Sequence, residues 1–302
     1  MSGLAASKRQ ELPIRTPAHV RQVAPSPRIL RAVPALLLGG ALGACSGDEA
    51  GGSTVGRAGA AEAPPPAVIA ASAAPYQPVQ VIDDGWVTGT VRVAGEVPAD
   101  TAVTPTMNHR VCGTRIVDRT LQLNGDRLAG AVVWLTDVRT GKPLPLGRRF
   151  QVTNEKCLLE PRVQAVVAGG TLNVRSADRV MHRTRILRHG SGETLTVIHH
   201  NDFGQVVPDD RVLARPGLLE LRSDVHPWTR GFVAVFDHPY FAVTGRDGAF
   251  TLDEVPPGSY TLAVWHERFG KLEQPVTVTA GDRTPITVTV GAVGAAADSV
   301  AP

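Results

Sequence analysis

The side chains best suited to chemistry in this 302-residue chain are nine histidines and three cysteines. Most of their spacings fail the geometry that a reaction needs. Ser191 sits in Gly190-Ser191-Gly192, but His189 stands where a nucleophile elbow requires its first glycine. His266-Glu267 opens like a zinc-binding H-E-x-x-H, but Gly270 occupies the position of the second imidazole. No glycine loop of the phosphate-cradling kind occurs. His199 and His200 are adjacent, so on a strand they would face opposite ways; a surface turn is the expected setting. Trp228 and Trp265 could stack on a sugar, although filling a β-sandwich core is the preferred reading. With Cys45 set aside, Cys112 and Cys157 remain as an even pair. In an oxidising compartment such a pair closes a disulfide. The loop it would close stabilises a fold by roughly 4 kcal/mol in the chain-entropy account. Two separate buried thiols are the alternative. With no catalytic constellation, the expectation is a binding or structural protein and not an enzyme.

Whether the compartment is oxidising depends on the first 45 residues. Arg28 and Arg31 precede an apolar run of 13 residues, Ala32 to Ala44. A membrane-spanning helix needs about 20 residues, so the run reads as the core of a signal peptide. It ends in Leu42-Gly43-Ala44-Cys45, which resembles the bacterial lipobox, where a diacylglycerol is attached to the cysteine and cleavage follows just before it. By that resemblance Cys45 is the lipidated residue. Ser46 after it favours the outer membrane, facing the periplasm. Ordinary secretion with a free Cys45 is the alternative. Six of the 31 Lys/Arg and one of the 28 Asp/Glu lie in residues 1–44, which leaves 25 basic and 27 acidic residues after Ala44. A mature charge of about −2 gives no basic patch for nucleic acid. Residues 45–80 are mostly Ala, Gly, Pro and Ser, a composition too poor to build a core, and read as a tether. Residues 291–302 read as a disordered tail.

The chemistry-bearing residues must be positioned by strands. Val87 to Val93 alternates apolar and polar residues. Ala131 to Leu135, Leu218 to Leu221, Phe232 to Phe236, Tyr260 to Trp265 and Val276 to Thr279 are short apolar or alternating runs. Asp247-Gly248 suits a two-residue hairpin turn with positive φ at both positions. Pro257-Gly258 suits a type II turn. No stretch of twelve residues has helical periodicity. The fold class is all-β, with two Greek-key or transthyretin-like sandwich modules.

Two further resemblances refine this. Thr244 to Leu262, with its D-G turn, F-x-L strand, P-P-G and Y-x-L, resembles the carboxypeptidase regulatory-like domain, a transthyretin-like sandwich of the carbohydrate-binding-like fold. Gly85 to Val91 resembles its first strand. This module is expected over residues 81–147 and 239–290, with another module inserted at 148–238. The insert resembles a cupredoxin of the plastocyanin/azurin type. Cys157 to Pro161, Val163 to Val167 and Gly170 to Val174 match its opening strands, and His182 follows Ser176-Ala177-Asp178 like the first copper histidine. Ser223-Asp224-Val225-His226-Pro227-Trp228-Thr229 resembles the ligand loop, where the family has Cys, His and Met. The resemblance implies a metal site at His182 and His226 that lacks its usual ligands, with Ser223 in place of the thiolate and Thr229 in place of the thioether. Asp224 or Met181 could serve as a third ligand. The expectation is a lipid-anchored envelope scaffold with no cofactor. Its partners would be the membrane and an envelope polysaccharide or protein. The alternatives are weak copper binding or electron transfer at an atypical histidine site, and a carbohydrate-binding module.

Overall fold

The computed structural model describes residues 68–70, 74–95 and 101–291, all within one compact unit, Ala60–Pro302. Cys45, the expected signal peptide and the expected tail after Gly291 lie outside the described residues. The architecture is all-β, with two pairs of sheets each enclosing its own apolar core.

The first sheet pair is built from both ends of the chain. Gly85–Val93 is central in its sheet, paired parallel to Arg283–Val290 and antiparallel to Ala249–Val255. Its alternation turns Val87, Val91 and Val93 inward. Gly89 is needed because a Cβ there would meet the Ile286 carbonyl at 2.4 Å and the Phe250 ring at 2.7 Å. The facing sheet runs Phe241–Val243, Val132–Thr136, Gly258–His266, Gly270–Val278. Val133 and Leu135 enter the core, while Val132 and Trp134 bury their side chains on the opposite face. That two-sided burial explains an unbroken apolar run where alternation would be expected of a half-exposed strand.

The second sheet pair is formed by residues 149–236. Its four-stranded sheet runs Leu158–Glu160, Arg149–Glu155, Thr171–Ser176, Val206–Asp209, and its five-stranded sheet runs Val163–Val167, Arg230–Phe236, Gly217–Ser223, His182–Arg188, Thr194–His200. The chain departs after Val132–Thr136 and returns in Phe241–Val243. These two strands are antiparallel neighbours, with Trp134 opposite Phe241, so the insertion leaves the host sheet intact. A third cluster joins the two sheet pairs: Leu218, Phe232, Ala234 and Phe236 meet Val132, Trp134, Ala263 and Trp265. Phe232 and Trp265 are edge to face at 5.0 Å. An ion pair between Arg162 and Glu267 borders this junction. Glu220 is buried beside Arg222, Arg230 and His189. Burial acts to raise the Glu220 pKa, but hydrogen bonds from those three partners overcome it and hold the value at about 2.

Several sequence expectations are corrected. Asp247-Gly248 is not a hairpin turn. It connects Phe241–Val243 in one sheet to Ala249–Val255 in the other, and Gly248 has positive φ while Asp247 does not. Gly258 has φ 159°, far from the value near +80° of a type II turn, and opens a strand. His199 and His200 lie on the strand Thr194–His200 and not in a turn; His199 is exposed and His200 buried. The expected tether is also partly docked. Ile69 is buried in the junction cluster, and Gln77–Pro78 bridges in parallel to Thr140–Gly141. The few large side chains of that stretch, Val68, Ile69 and Tyr76, find apolar surface to cover. Among the described residues no helix is long and apolar enough to cross a membrane.

Candidate functional site

The antiparallel strands Gly217–Ser223 and Arg230–Phe236 hold the loop between them in a fixed shape. The backbone N–H groups of Val225 and His226 donate to Ser223 Oγ at 3.3 and 3.0 Å. Ser223 N–H donates to the Thr229 carbonyl at 3.1 Å, and Thr229 N–H to that of His226 at 2.8 Å. A hydroxyl bonding ahead along its own chain is the usual serine turn device. On the neighbouring strand His182–Arg188, Thr184 lies opposite Ser223. The result brings His182 and His226 together, both fully buried, with ring centroids 5.0 Å apart.

Each ring has a second partner. His182 Nε2 lies 2.9 Å from Asp178 Oδ2. A carboxylate can only accept, so Nε2 carries a proton, and in the neutral tautomer Nδ1 holds the lone pair. That Nδ1 is buried and has no hydrogen-bond partner, as is the case for Nδ1 of His226. His226 Nε2 lies 3.1 Å from the Asn108 side-chain amide. Burial, then the neighbouring His182, pushes the His226 pKa down to about 4 against the pull of Asp178, so its ring is neutral at pH 7. Burial acts to raise the Asp178 pKa, but hydrogen bonds from His182 and from the N–H groups of Cys157 and Lys156 hold it below the usual carboxylate range.

The disulfide Cys112–Cys157 is formed, closing 45 residues with a Cα separation of 5.1 Å. Cys112 ends the single helical turn His109–Cys112, which starts after Asn108 in a left-handed conformation. Lys156 and Cys157 form the tight turn between Arg149–Glu155 and Leu158–Glu160, both with positive φ. Non-glycine residues there are strained, and the surroundings restrain them. Asp178 accepts both of their N–H groups, at 2.7 and 2.9 Å. The Cys157 carbonyl accepts from the Thr229 hydroxyl and from Trp228 Nε1, the latter at 3.2 Å. Both sulfurs and a ring nitrogen of His226 lie within 4.8 Å of one another.

This arrangement does not fit a thiolate-ligated copper. The Ser223 hydroxyl is occupied with the loop and the Thr229 hydroxyl with Cys157, and neither is a soft ligand. Neither expected third ligand approaches the histidine pair. Asp224 pairs with Arg183 and Arg185 at the surface, and Met181 is half exposed. Sequence reasoning missed two contributors. Asp178 stands in the sequence only as part of the segment flanking His182, and Asn108 sits in a loop 118 positions before its histidine, with no local pattern to mark it. Of the tryptophans, Trp265 is core and Trp228 is half-buried against the His226 ring at 5.4 Å.

A family model of the carboxypeptidase regulatory-like domain matches residues 232–291. The match begins inside Arg230–Phe236, a strand that pairs in the inserted sheet. No curated protein matches the chain. Among solved structures, a purple cupredoxin from Nitrosopumilus maritimus is 18% identical with a TM-score of 0.24, over 28% of this chain and 98% of that one. Amicyanin from Paracoccus versutus is 16% identical with a TM-score of 0.25, over 34% of this chain and 96% of its own. A reduced Cu(I) form of an amicyanin mutant is 18% identical with a TM-score of 0.26, over 29% and 81%. The family model thus covers the C-terminal part of the first sheet pair together with the last strand of the inserted one.

Proposed function

We propose that the mature chain is a non-catalytic, lipid-anchored protein of the cell envelope that binds or scaffolds a polysaccharide or protein there. One observation carries the non-redox part of this reading: at the two ligand positions of the loop, Ser223 and Thr229 spend their hydroxyls on fixing backbone. Anchoring rests on Leu42-Gly43-Ala44-Cys45. Membrane fractionation of Cys45→Ala tests it. Wild type partitions with membranes and the variant is released; a variant that stays with membranes as wild type does overturns the anchor. Pull-down on a panel of cell-wall polysaccharides separates a glycan ligand from a protein one.

A second reading, weak copper binding by the oxidised protein, is favoured by the buried lone pair on His182 Nδ1. It requires calorimetric Cu(II) binding that His226→Ala removes, without the intense visible band that only a thiolate ligand supplies. Titration with no heat above background eliminates it.

A further inference from the structure

The same end of the inserted sandwich holds two sulfurs whose role need not stop at cross-linking. We propose that reduction of Cys112–Cys157 turns it into a site for a thiophilic d10 ion, Zn(II) or Cu(I), ligated by both thiolates and His226.

The donor set meets the requirements of such a site. Both sulfurs and a His226 nitrogen already lie within 4.8 Å of one another. In a tetrahedral zinc site with Zn–S near 2.3 Å, two thiolates stand about 3.8 Å apart, which fits inside the 4.8 Å span of the ligand atoms. The ligands are shielded from water: Cys157 and His226 are fully buried and Cys112 is 5% exposed. His182 presents an unpartnered buried nitrogen beside the His226 ring. His226 has an outer partner on Nε2, the Asn108 amide. A group in this position orients the ligating ring and fixes its tautomer. With the Asn108 amide turned so that its oxygen accepts from Nε2–H, His226 also offers Nδ1 as a lone pair.

The chemistry balances with a dithiol as reductant. The dithiol gives two electrons and two protons and becomes a cyclic disulfide, while the Cys112–Cys157 bond breaks to two thiols. The incoming ion then displaces those two protons, and its oxidation state does not change. This inference is independent of lipid anchoring. It also differs from copper binding by the oxidised protein, because it requires thiolates.

Co(II), a spectroscopic stand-in for Zn(II), provides the test. The mature chain is reduced with dithiothreitol, freed of it under anaerobic conditions, and checked by mass for the gain of two hydrogens. Titration is expected to give one equivalent bound, a thiolate-to-cobalt charge-transfer band and strong visible bands of a tetrahedral site, all removed by Zn(II). A Cu(I) arm uses competition with a Cu(I)-selective chelator. Cys112→Ser with Cys157→Ser abolishes the charge-transfer band. His226→Ala weakens binding by about 100-fold or more, beyond the range typical of outer-shell losses. Should that variant fold poorly, Asn108→Ala, on an exposed loop, weakens binding roughly 10-fold. Any of three results overturns the proposal: a disulfide that resists the dithiol in the folded chain, a reduced folded chain that takes up neither ion, or a cobalt spectrum and affinity unchanged by the histidine and asparagine variants. Ion binding by the oxidised chain without a thiolate band supports only the weak-copper reading.

Discussion

The two sandwiches solve the same packing problem with different materials. The regulatory-like core is mostly valine, leucine and phenylalanine, and the hydroxyl of its one buried tyrosine, Tyr240, is bonded to the Lys142 N–H and the Glu254 carbonyl. The inserted core is equally apolar along its middle, but one end buries Asn154, Asp178, His182, His200, Ser223 and His226. Three of those imidazoles leave Nδ1 without a partner, and Asn154 Oδ1 is in the same condition. An unsatisfied buried polar atom costs roughly 1–3 kcal/mol. A sandwich shaped for stability alone would fill that end with aliphatic side chains. The difference locates the end where buried polar groups displace apolar packing, and the disulfide braces it.

The junction offers the largest effect. Phe232→Ala removes a side chain that packs on Trp265 and is expected to destabilise by about 3–5 kcal/mol. Guanidinium unfolding followed by near-UV and far-UV signals should show the two sandwiches uncoupling; coincident transitions with unchanged midpoint would refute the shared junction. Next comes the brace. Cys112→Ser with Cys157→Ser is expected to lower stability by roughly 2–4 kcal/mol, with protection from hydrogen exchange lost first around residues 101–118 and 156–160. Uniform loss across both sandwiches would show that the brace is not local.

Acid acts on both regions. Burial holds His238 down at about pKa 4 against the pull of Asp237, and burial with Arg162 and Arg268 holds His266 at about 3. Both are neutral in the fold while the unfolded chain takes up protons near pH 6.5, so stability falls as pH drops from about 6.5 towards 4, by about 3 kcal/mol for each at pH 4. Glu220 acts lower down. Its depressed pKa contributes stability above about 4.5 that disappears as pH falls to about 2. Denaturant melts at pH 7, 5 and 4 check this, and a flat profile would contradict it. The smallest effect is near zero. His200→Leu removes an unpartnered Nδ1 but leaves the Val174 carbonyl without its donor. These losses nearly cancel, so a change within about 1 kcal/mol is expected, against the 2–5 kcal/mol of Leu135→Ala in the apolar sandwich.

Strands were legible from sequence wherever one face or both were apolar, because burial sets the pattern directly: Val87 to Val93 and Phe232 to Phe236 lie within observed strands. Turns were less legible. Asp247-Gly248 has hairpin chemistry, but its neighbours belong to different sheets, a tertiary fact that no dipeptide encodes. Lys156-Cys157 has no turn chemistry at all, and it holds positive φ only because Asp178, Thr229 and Cys112 grip it from distant parts of the chain. For the site, resemblance supplied the His182–His226 pair and cysteine arithmetic supplied the disulfide. That these fall in one place follows from the loop 101–118 reaching across from the host sandwich, which nothing local announces.

The way the chain joins its fold has a mechanical side. In a protein held at Cys45, tension arrives from the N-terminal direction and meets three restraints in sequence. Ile69 is a single plug in the junction cluster and Gln77–Pro78 a two-residue bridge; both can let go one contact at a time. Gly85–Val93 is different. It lies between two strands, with eight residues in parallel register against Arg283–Val290, and a pull along its axis loads those hydrogen bonds together, in shear. Stretching would therefore lengthen the leash first, by releasing residues 68–84, while the sandwiches and whatever they hold stay folded.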